Sequence, residues 1–289
     1  MTASGRTARH PRAAGGVPRK PPAIRRVPLL SAFLAATCLL PAAPVHAEAP
    51  PREVRVAAAA DLKFALDAVF AATAASTRGI RPSVTYGSSG SFYAQIENGA
   101  PYDLFLSADA EYPRRLAANG FGDGEPFLYA VGRIVLWVPV SSKLDIAGLG
   151  LRTLLDPSVR RVAIANPRHA PYGRAAEAAM KSRGVWNGIE GKLVLGENVA
   201  QAAQFVQSGV ADAGVFALSL ALAPQLRPAG RYVEIPLESY PRMEQGGLVL
   251  KRARDPAAAR ALRDALLGAQ GRKALGERGF FLPASGPAP

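Results

Sequence analysis

The chain has 289 residues, with 35 Lys/Arg against 22 Asp/Glu and a formal charge of +13. Seven of the basic residues (Arg6, Arg9, Arg12, Arg19, Lys20, Arg25 and Arg26) precede the first acid, so about +6 remains on the rest, scattered and without the dense stripe that a nucleic-acid backbone requires. Beyond residue 47 there is no cysteine and one histidine, His169; disulfides and thiolate chemistry are excluded, and zinc sites and Ser-His or Cys-His catalysis are short of partners.

The basic stretch leads into "VPLLSAFLAATCLLPAAP" and then "VHA" before Glu48. A basic segment, an apolar core and a small-x-small exit read as a secretory signal peptide over residues 1–47, cleaved after Ala47. The unbroken apolar run Leu29 to Leu40 is shorter than the roughly 20 residues of a membrane span. Pro28 argues against twin-arginine export through Arg25-Arg26, and Cys38 lacks the flanking residues of a lipoprotein signal. A periplasmic location follows, with the export route and lipid anchoring left open.

After the leader, short apolar runs alternate with helical patterns. "EVRVAAAA" (53–60) reads as a buried strand, and Leu62, Ala65, Leu66, Val69 and Phe70 then recur at helical spacing. "RPSVTY" is a second strand, followed by a short helix over 91–98 that Asn98-Gly99 closes; "DLFLSA" is a third strand. "YAVGRIVLWVPV" (129–140) is long enough to pass between two lobes. "RRVAIAN", "KLVLGEN", "DAGVFAL", "RYVEIP" and "QGGLVLK" are further strands, and "DPAAARALRDALLGAQ" is a closing helix. The alternation predicts an α/β protein with mixed, mainly parallel sheets covered by helices on both faces. Crossings near 130–134 and 236–242 divide it into lobe I (48–131 plus 237–283) and lobe II (132–236), with a flexible Pro/Gly-rich tail over 284–289.

Four strand-to-helix junctions stand out: Ala60-Asp61, "GSSGS" (87–91), "NPRHAPYGR" (166–174) and "GENVAQ" (196–201), the last with Asn198 as cap and Gln201 in a capping-box position. A helix start leaves about four N–H groups without intrahelical partners and carries a partial positive charge, so several starts facing one cleft bind an anion without lysine or arginine. Asp, Ser and Asn at these positions are also what ordinary caps look like. A nucleophile at Ser88 or Ser89 needs an activating base, and "GSSGS" does not fit G-x-S-x-G. His169 is the one imidazole, and it reads as a surface residue of a turn. Asp103 and Asp109 read as polar ends of a strand, and Trp137 and Trp186 as packing residues.

"VAAAADLKFAL", "GSSGSFYAQIENGAPYDLFLSAD", "VGRIVLW", "IANPRHAPYG" and "GENVAQA" occur in the order and spacing of periplasmic molybdate-binding proteins, the solute-binding components of molybdate ABC transporters, and the resemblance spans about 52–283. It implies a two-lobed type II periplasmic-binding-protein fold with the ligand cleft between lobes. It also implies molybdate or tungstate held as an oxyanion by neutral donors, with no cofactor, no directly coordinated metal and no catalysis. The implied partner is a membrane permease of an ABC transporter, and the protein is expected to be a monomer. The resemblance assigns the ligand contacts to Ala60, Asp61, Ser89 (hydroxyl and N–H), Tyr172 (N–H) and Val199 (N–H). The alternatives are another tetrahedral oxyanion (chiefly tungstate, or sulfate, thiosulfate or phosphate) or an exported serine hydrolase on the same fold.

Two positions depart from the family pattern. Relatives place Ser, Thr or Asn where this chain has Ala60-Asp61, and many place a tyrosine where it has Ala217. An ionised Asp61 at ~4 Å from a dianion, at an effective dielectric near 20, would be repelled by about 4 kcal/mol per pair of unit charges. The Asp61 side chain is therefore expected to turn away and cap its helix while its N–H faces the cleft. Ser219 is the residue available to compensate for Ala217.

Overall fold

The computed structural model describes residues 51–283. The leader expected over 1–47, its cleavage site, Cys38 and the tail 284–289 lie outside the described residues.

Among the described residues, ten strands form two five-stranded sheets. The first has the order β2-β1-β3-β10-β4, with β1 Arg52–Ala59, β2 Ile80–Gly87, β3 Leu104–Ser107, β4 Phe127–Gly132 and β10 Met243–Val249. The second has the order β7-β6-β8-β5-β9, with β5 Ile134–Pro139, β6 Val162–Ala165, β7 Leu193–Gly196, β8 Ala213–Ala217 and β9 Gly230–Glu234. Each sheet is mixed. β1 pairs in parallel with β2 and β3, and β6 with β7 and β8. Every antiparallel ladder involves β10 or β5, the strands that enter each sheet from the other lobe.

The apolar run 129–140 is not one continuous strand. It breaks at Arg133, with β4 in the first sheet and β5 in the second. The return crossing runs from Glu234 to Met243 through a turn of 3₁₀ helix at Leu237–Ser239. The crossings are pinned together: Ile134 N–H donates to the Tyr240 hydroxyl at 3.4 Å, and Arg133 pairs with Glu234 at 3.0 Å while stacking 3.5 Å over the Phe281 ring. Phe281 exchanges two main-chain hydrogen bonds with Val131. Two helices that the sequence reading did not separate, Glu111–Ala118 and Ala269–Glu277, complete the first lobe. The second packs on the helix Lys63–Ala72.

Buried alanines and β-branched residues in β1, β6 and β8 let helices approach the sheets closely. The largest buried cluster holds the second lobe together and includes Ala59, Ala60 and Ala108 from the first, so apolar packing continues between lobes beside the strand ends. Trp137 is 1% exposed in that cluster, and Trp186 packs against it.

Asp103 stands just before β3 and is buried. It is 1% exposed, and its carboxylate accepts from the N–H groups of Arg55 (2.6 Å) and Arg254 (2.8 Å) and faces the Arg55 guanidinium at 3.4 Å. It thereby ties β1, the start of β3 and the loop after β10. Removing a buried acceptor of charged hydrogen bonds costs about 3 kcal/mol. Asp103→Ala should therefore lower the free energy of chemical denaturation by about that amount, while isothermal titration shows ligand affinity within about twofold.

Candidate oxyanion site between the lobes

All four junctions meet at one place. Ala59, Ala60, Asp61, Gly87, Ser88, Ser89 and Ala108 from the first lobe, with Ala170, Pro171, Tyr172 and Val199 from the second, line a cavity of about 10 Å³. The structure thus brings together all five residues expected at the site: Ala60, Asp61, Ser89, Tyr172 and Val199. No lysine or arginine lines the cavity. Space of this size holds about one water, so the walls must separate and re-close to admit a tetrahedral oxyanion.

Local folding presents main-chain donors here. The helix Ser89–Glu97 begins after β2 with Ser88 as its N-cap, the helix Pro171–Ser182 begins with proline in its first turn, and the helix Val199–Gln207 is capped by Asn198. The Asn198 side-chain Oδ1 accepts from Ala200 and Gln201 N–H at 3.0 and 3.1 Å, while Gln201 Oε1 accepts from Glu197 N–H, giving a capping box shifted by one residue. Those bonds and the Ala170 and His169 carbonyls satisfy the later N–H groups of each helix start. Among the described residues, the N–H groups of Ser89, Tyr172 and Val199 have no acceptor. Ser89 Oγ accepts from Ala108 N–H at 3.0 Å, which leaves its own hydrogen free to donate.

Asp61 does not cap its helix. The 3₁₀ turn Ala60–Leu62 has no side-chain cap, and the Asp61 carboxylate is buried (1% exposed) between the lobes. Its Oδ2 accepts from the Tyr172 hydroxyl at 2.9 Å and from Gln245 Nε2 at 2.7 Å, while Gln245 Nε2 also reaches the Tyr172 oxygen at 2.9 Å. Oδ1 has no partner. Tertiary neighbours outcompeted the local cap: the buried Tyr172 hydroxyl and Gln245 amide need an acceptor, and Asp61 supplies it. Burial is the main influence on the carboxyl and pushes its pKa up to about 6, against the lowering effect of Gln245 and Tyr172. Burial also raises the Tyr172 and Tyr129 hydroxyls well above their usual value, so both stay neutral. Ser219 does not replace the absent tyrosine, because its hydroxyl donates to the Asp61 carbonyl at 2.9 Å. Ala217 is fully buried and does not line the cavity.

Three residues were not recognised from sequence as parts of the site. Gln245 is a lone amide in an otherwise apolar strand, a pattern that signals a buried polar partner. His169 is not a free turn residue. Its carbonyl accepts from Gly90 N–H (3.0 Å) and from the Ser88 hydroxyl (2.8 Å), and its Nδ1 lies 2.8 Å from Ser88 Oγ. Ser88 therefore joins the lobes, its hydroxyl lying 2.8 Å from both the carbonyl and the ring nitrogen of His169. Arg174, from the same segment, reaches Asp109 at 2.6 Å and the Tyr112 hydroxyl at 3.2 Å in the first lobe. A Cβ on Gly90 would lie 2.6 Å from the His169 carbonyl oxygen and 2.8 Å from the Tyr112 hydroxyl.

The sequence of the family described as bacterial extracellular solute-binding protein matches residues 54–281. This chain belongs to that family. The solute-binding protein is 40% identical over 187 residues to the molybdate-binding protein ModA of Rhodobacter capsulatus, covering 64% of this chain and 71% of that one. It is 34% identical over 231 residues to the molybdate-binding protein ModA of Azotobacter vinelandii, covering 80% and 90%. The solved structure of the Azotobacter vinelandii periplasmic molybdate-binding protein superposes with a TM-score of 0.73 at 30% identity, covering 80% of this chain and 99% of that one. The relatives are binding proteins rather than enzymes.

Two outcomes follow from this geometry. A carboxyl whose folded pKa is raised from 3.8 to about 6 binds its proton more tightly when folded, so its contribution to stability is fully present below about pH 4 and is lost as pH rises to about 6. Two pKa units correspond to about 3 kcal/mol. Asp61→Asn should therefore stabilise the ligand-free protein by roughly 2–3 kcal/mol at neutral pH, with the gain vanishing near pH 4, as read from denaturation midpoints across pH. Gly90→Ala should weaken closure: solution scattering with ligand should give a larger radius of gyration than wild type, and affinity should fall at least about tenfold, or 1.4 kcal/mol.

Proposed function

We propose that this protein binds molybdate, and tungstate with it, between its two lobes in the periplasm and delivers it to the permease of an ABC transporter. The observation that carries the reading is the convergence of three acceptor-free helix starts, at Ser89, Tyr172 and Val199, on one cavity without a basic side chain. The relatives named molybdate-binding protein support the same ligand. Neutral donors suit a fully deprotonated tetrahedral dianion, since the partial positive charge of each helix start acts on it at short range.

In the open form, the first lobe offers Ser89 and the Ala60-Asp61 turn. Hinge motion at the Arg133 and 235–242 crossings then brings the Tyr172 and Val199 N–H groups onto the far side of the oxyanion. Closure is reinforced by the His169 and Arg174 contacts to the first lobe. Discrimination against sulfate follows from size: donors spaced for longer metal–oxygen bonds cannot all reach a smaller anion, and buried donors left unpaired are costly. The same site needs no cofactor and performs no chemistry on the ligand.

Calorimetric titration with molybdate, tungstate, sulfate and phosphate tests this directly. Molybdate and tungstate should bind tightly and sulfate at least about a hundredfold more weakly, a difference of about 2.7 kcal/mol. An equal response to sulfate would overturn the molybdate assignment. Ser89→Ala, which deletes one donor to a charged ligand and also the acceptor of the Ala108 N–H, should weaken molybdate binding at least about tenfold while the protein stays folded with a lowered melting temperature. Unaltered affinity would reduce Ser89 to a structural residue.

A further inference from the structure

Asp61 lines the oxyanion cavity, yet nothing in a site for a dianion calls for a carboxylate. Its two oxygens are not equivalent. Oδ2 is held by Tyr172 and Gln245, and Oδ1 is buried with no partner at all. The N–H groups of Asp61 and Leu62 favour the ionised form, but neither makes a hydrogen bond to Oδ1. From the elements packed around this turn come Tyr172, Tyr129 on β4 and Tyr86 on β2, all with hydroxyls raised by burial and therefore neutral. Ser219 meets the Asp61 carbonyl rather than its carboxylate. Lys63 and Glu197, the nearest charged residues along the chain on two of these elements, have exposed side chains. Among the described residues, no cation pairs with the Asp61 carboxylate to neutralise it when a second negative charge arrives.

We infer that oxyanion binding by this protein is proton-coupled: as the dianion enters, Asp61 takes one proton from solvent onto Oδ1, and the neutral carboxyl donates that O–H to an oxyanion oxygen. This rests on the oxyanion reading above. One proton and one dianion are taken up together; no bond within the oxyanion forms or breaks, and Oδ2 keeps its bonds to Tyr172 and Gln245. The step is accessible, because protonating a group one pH unit above its pKa forfeits only about tenfold in affinity. Leaving the charge in place would oppose a dianion in a site shielded from water. Asp61 in this form adds one neutral donor to the cavity wall. Its side chain becomes the residue that sets the pH range of tight binding.

The test is calorimetric titration of the purified protein with sodium molybdate between about pH 6.5 and 8.5, each pH repeated in two buffers of different ionisation enthalpy. The expected result is uptake approaching one proton per molybdate at the upper end, with affinity falling up to about tenfold per pH unit. Asp61→Asn should abolish the uptake, flatten the profile and bind at least about tenfold more tightly than wild type near pH 8.5. Tight molybdate binding by the wild type with no proton uptake at about pH 8 would overturn the inference and leave the oxyanion reading standing. No molybdate binding at any pH would overturn both. The wild-type buffer series decides the matter even if the variant fails to fold.

Discussion

The first turn of a helix has backbone N–H groups that the helix cannot satisfy, and much of this structure is organised around where those groups are placed. Among the described residues, Ser88, Asp145, Asn198 and Asp255 cap their helices with side-chain oxygens. At Ser89, Tyr172 and Val199, capping satisfies the later donors and leaves one donor per helix facing the lobe junction. The parallel ladders β1–β2 and β6–β7 align the strand ends that launch these helices, and the crossings at Arg133 and 235–242 turn the two sets toward each other. A concentration of partial positive charge results without a charged side chain, in surroundings of alanine, glycine and proline that admit close approach.

The second element is the segment from Asn166 to Arg174. It serves as a helix start in its own lobe and as the docking edge to the other. His169 meets the Ser89 helix through main chain and side chain, Tyr172 meets Asp61 and Gln245, and Arg174 meets Asp109 and Tyr112. The same residues that present donors therefore also carry the contacts of closure. On the proposed reading, binding and lobe docking are coupled because they share a few residues of proline-containing backbone. Gly90 matters at this edge for want of a Cβ, since the His169 carbonyl occupies the space a side chain would need.

Much of this was legible in the sequence. The strands, the helix starts and the five cavity residues could be read from apolar periodicity, capping residues and a resemblance in motif order, all of which depend on neighbours within a few positions. The apolar run 129–140, read as a passage between lobes, is two strands that part at Arg133, and apolar character alone does not show where such a run breaks. The expected cap at Asp61 failed for a related reason. A local hydrogen bond to its own helix competed with two buried donors at positions 172 and 245, and the distant pair prevailed because neither could be left unsatisfied in the interior.

The sequence by itself determined the class of the molecule: an α/β chain with its notable polar residues at helix starts and, beyond residue 47, no cysteine and one histidine. Those properties are local or compositional, so they survive without knowledge of the fold. Only the tertiary structure decided the charge logic of the site. It put Asp61 in the wall of the cavity, buried one oxygen against Tyr172 and Gln245, left the other unpartnered and raised the proton affinity of the group. That outcome depends on desolvation and on partners more than 100 residues away, and neither is encoded in the stretch where the aspartate stands.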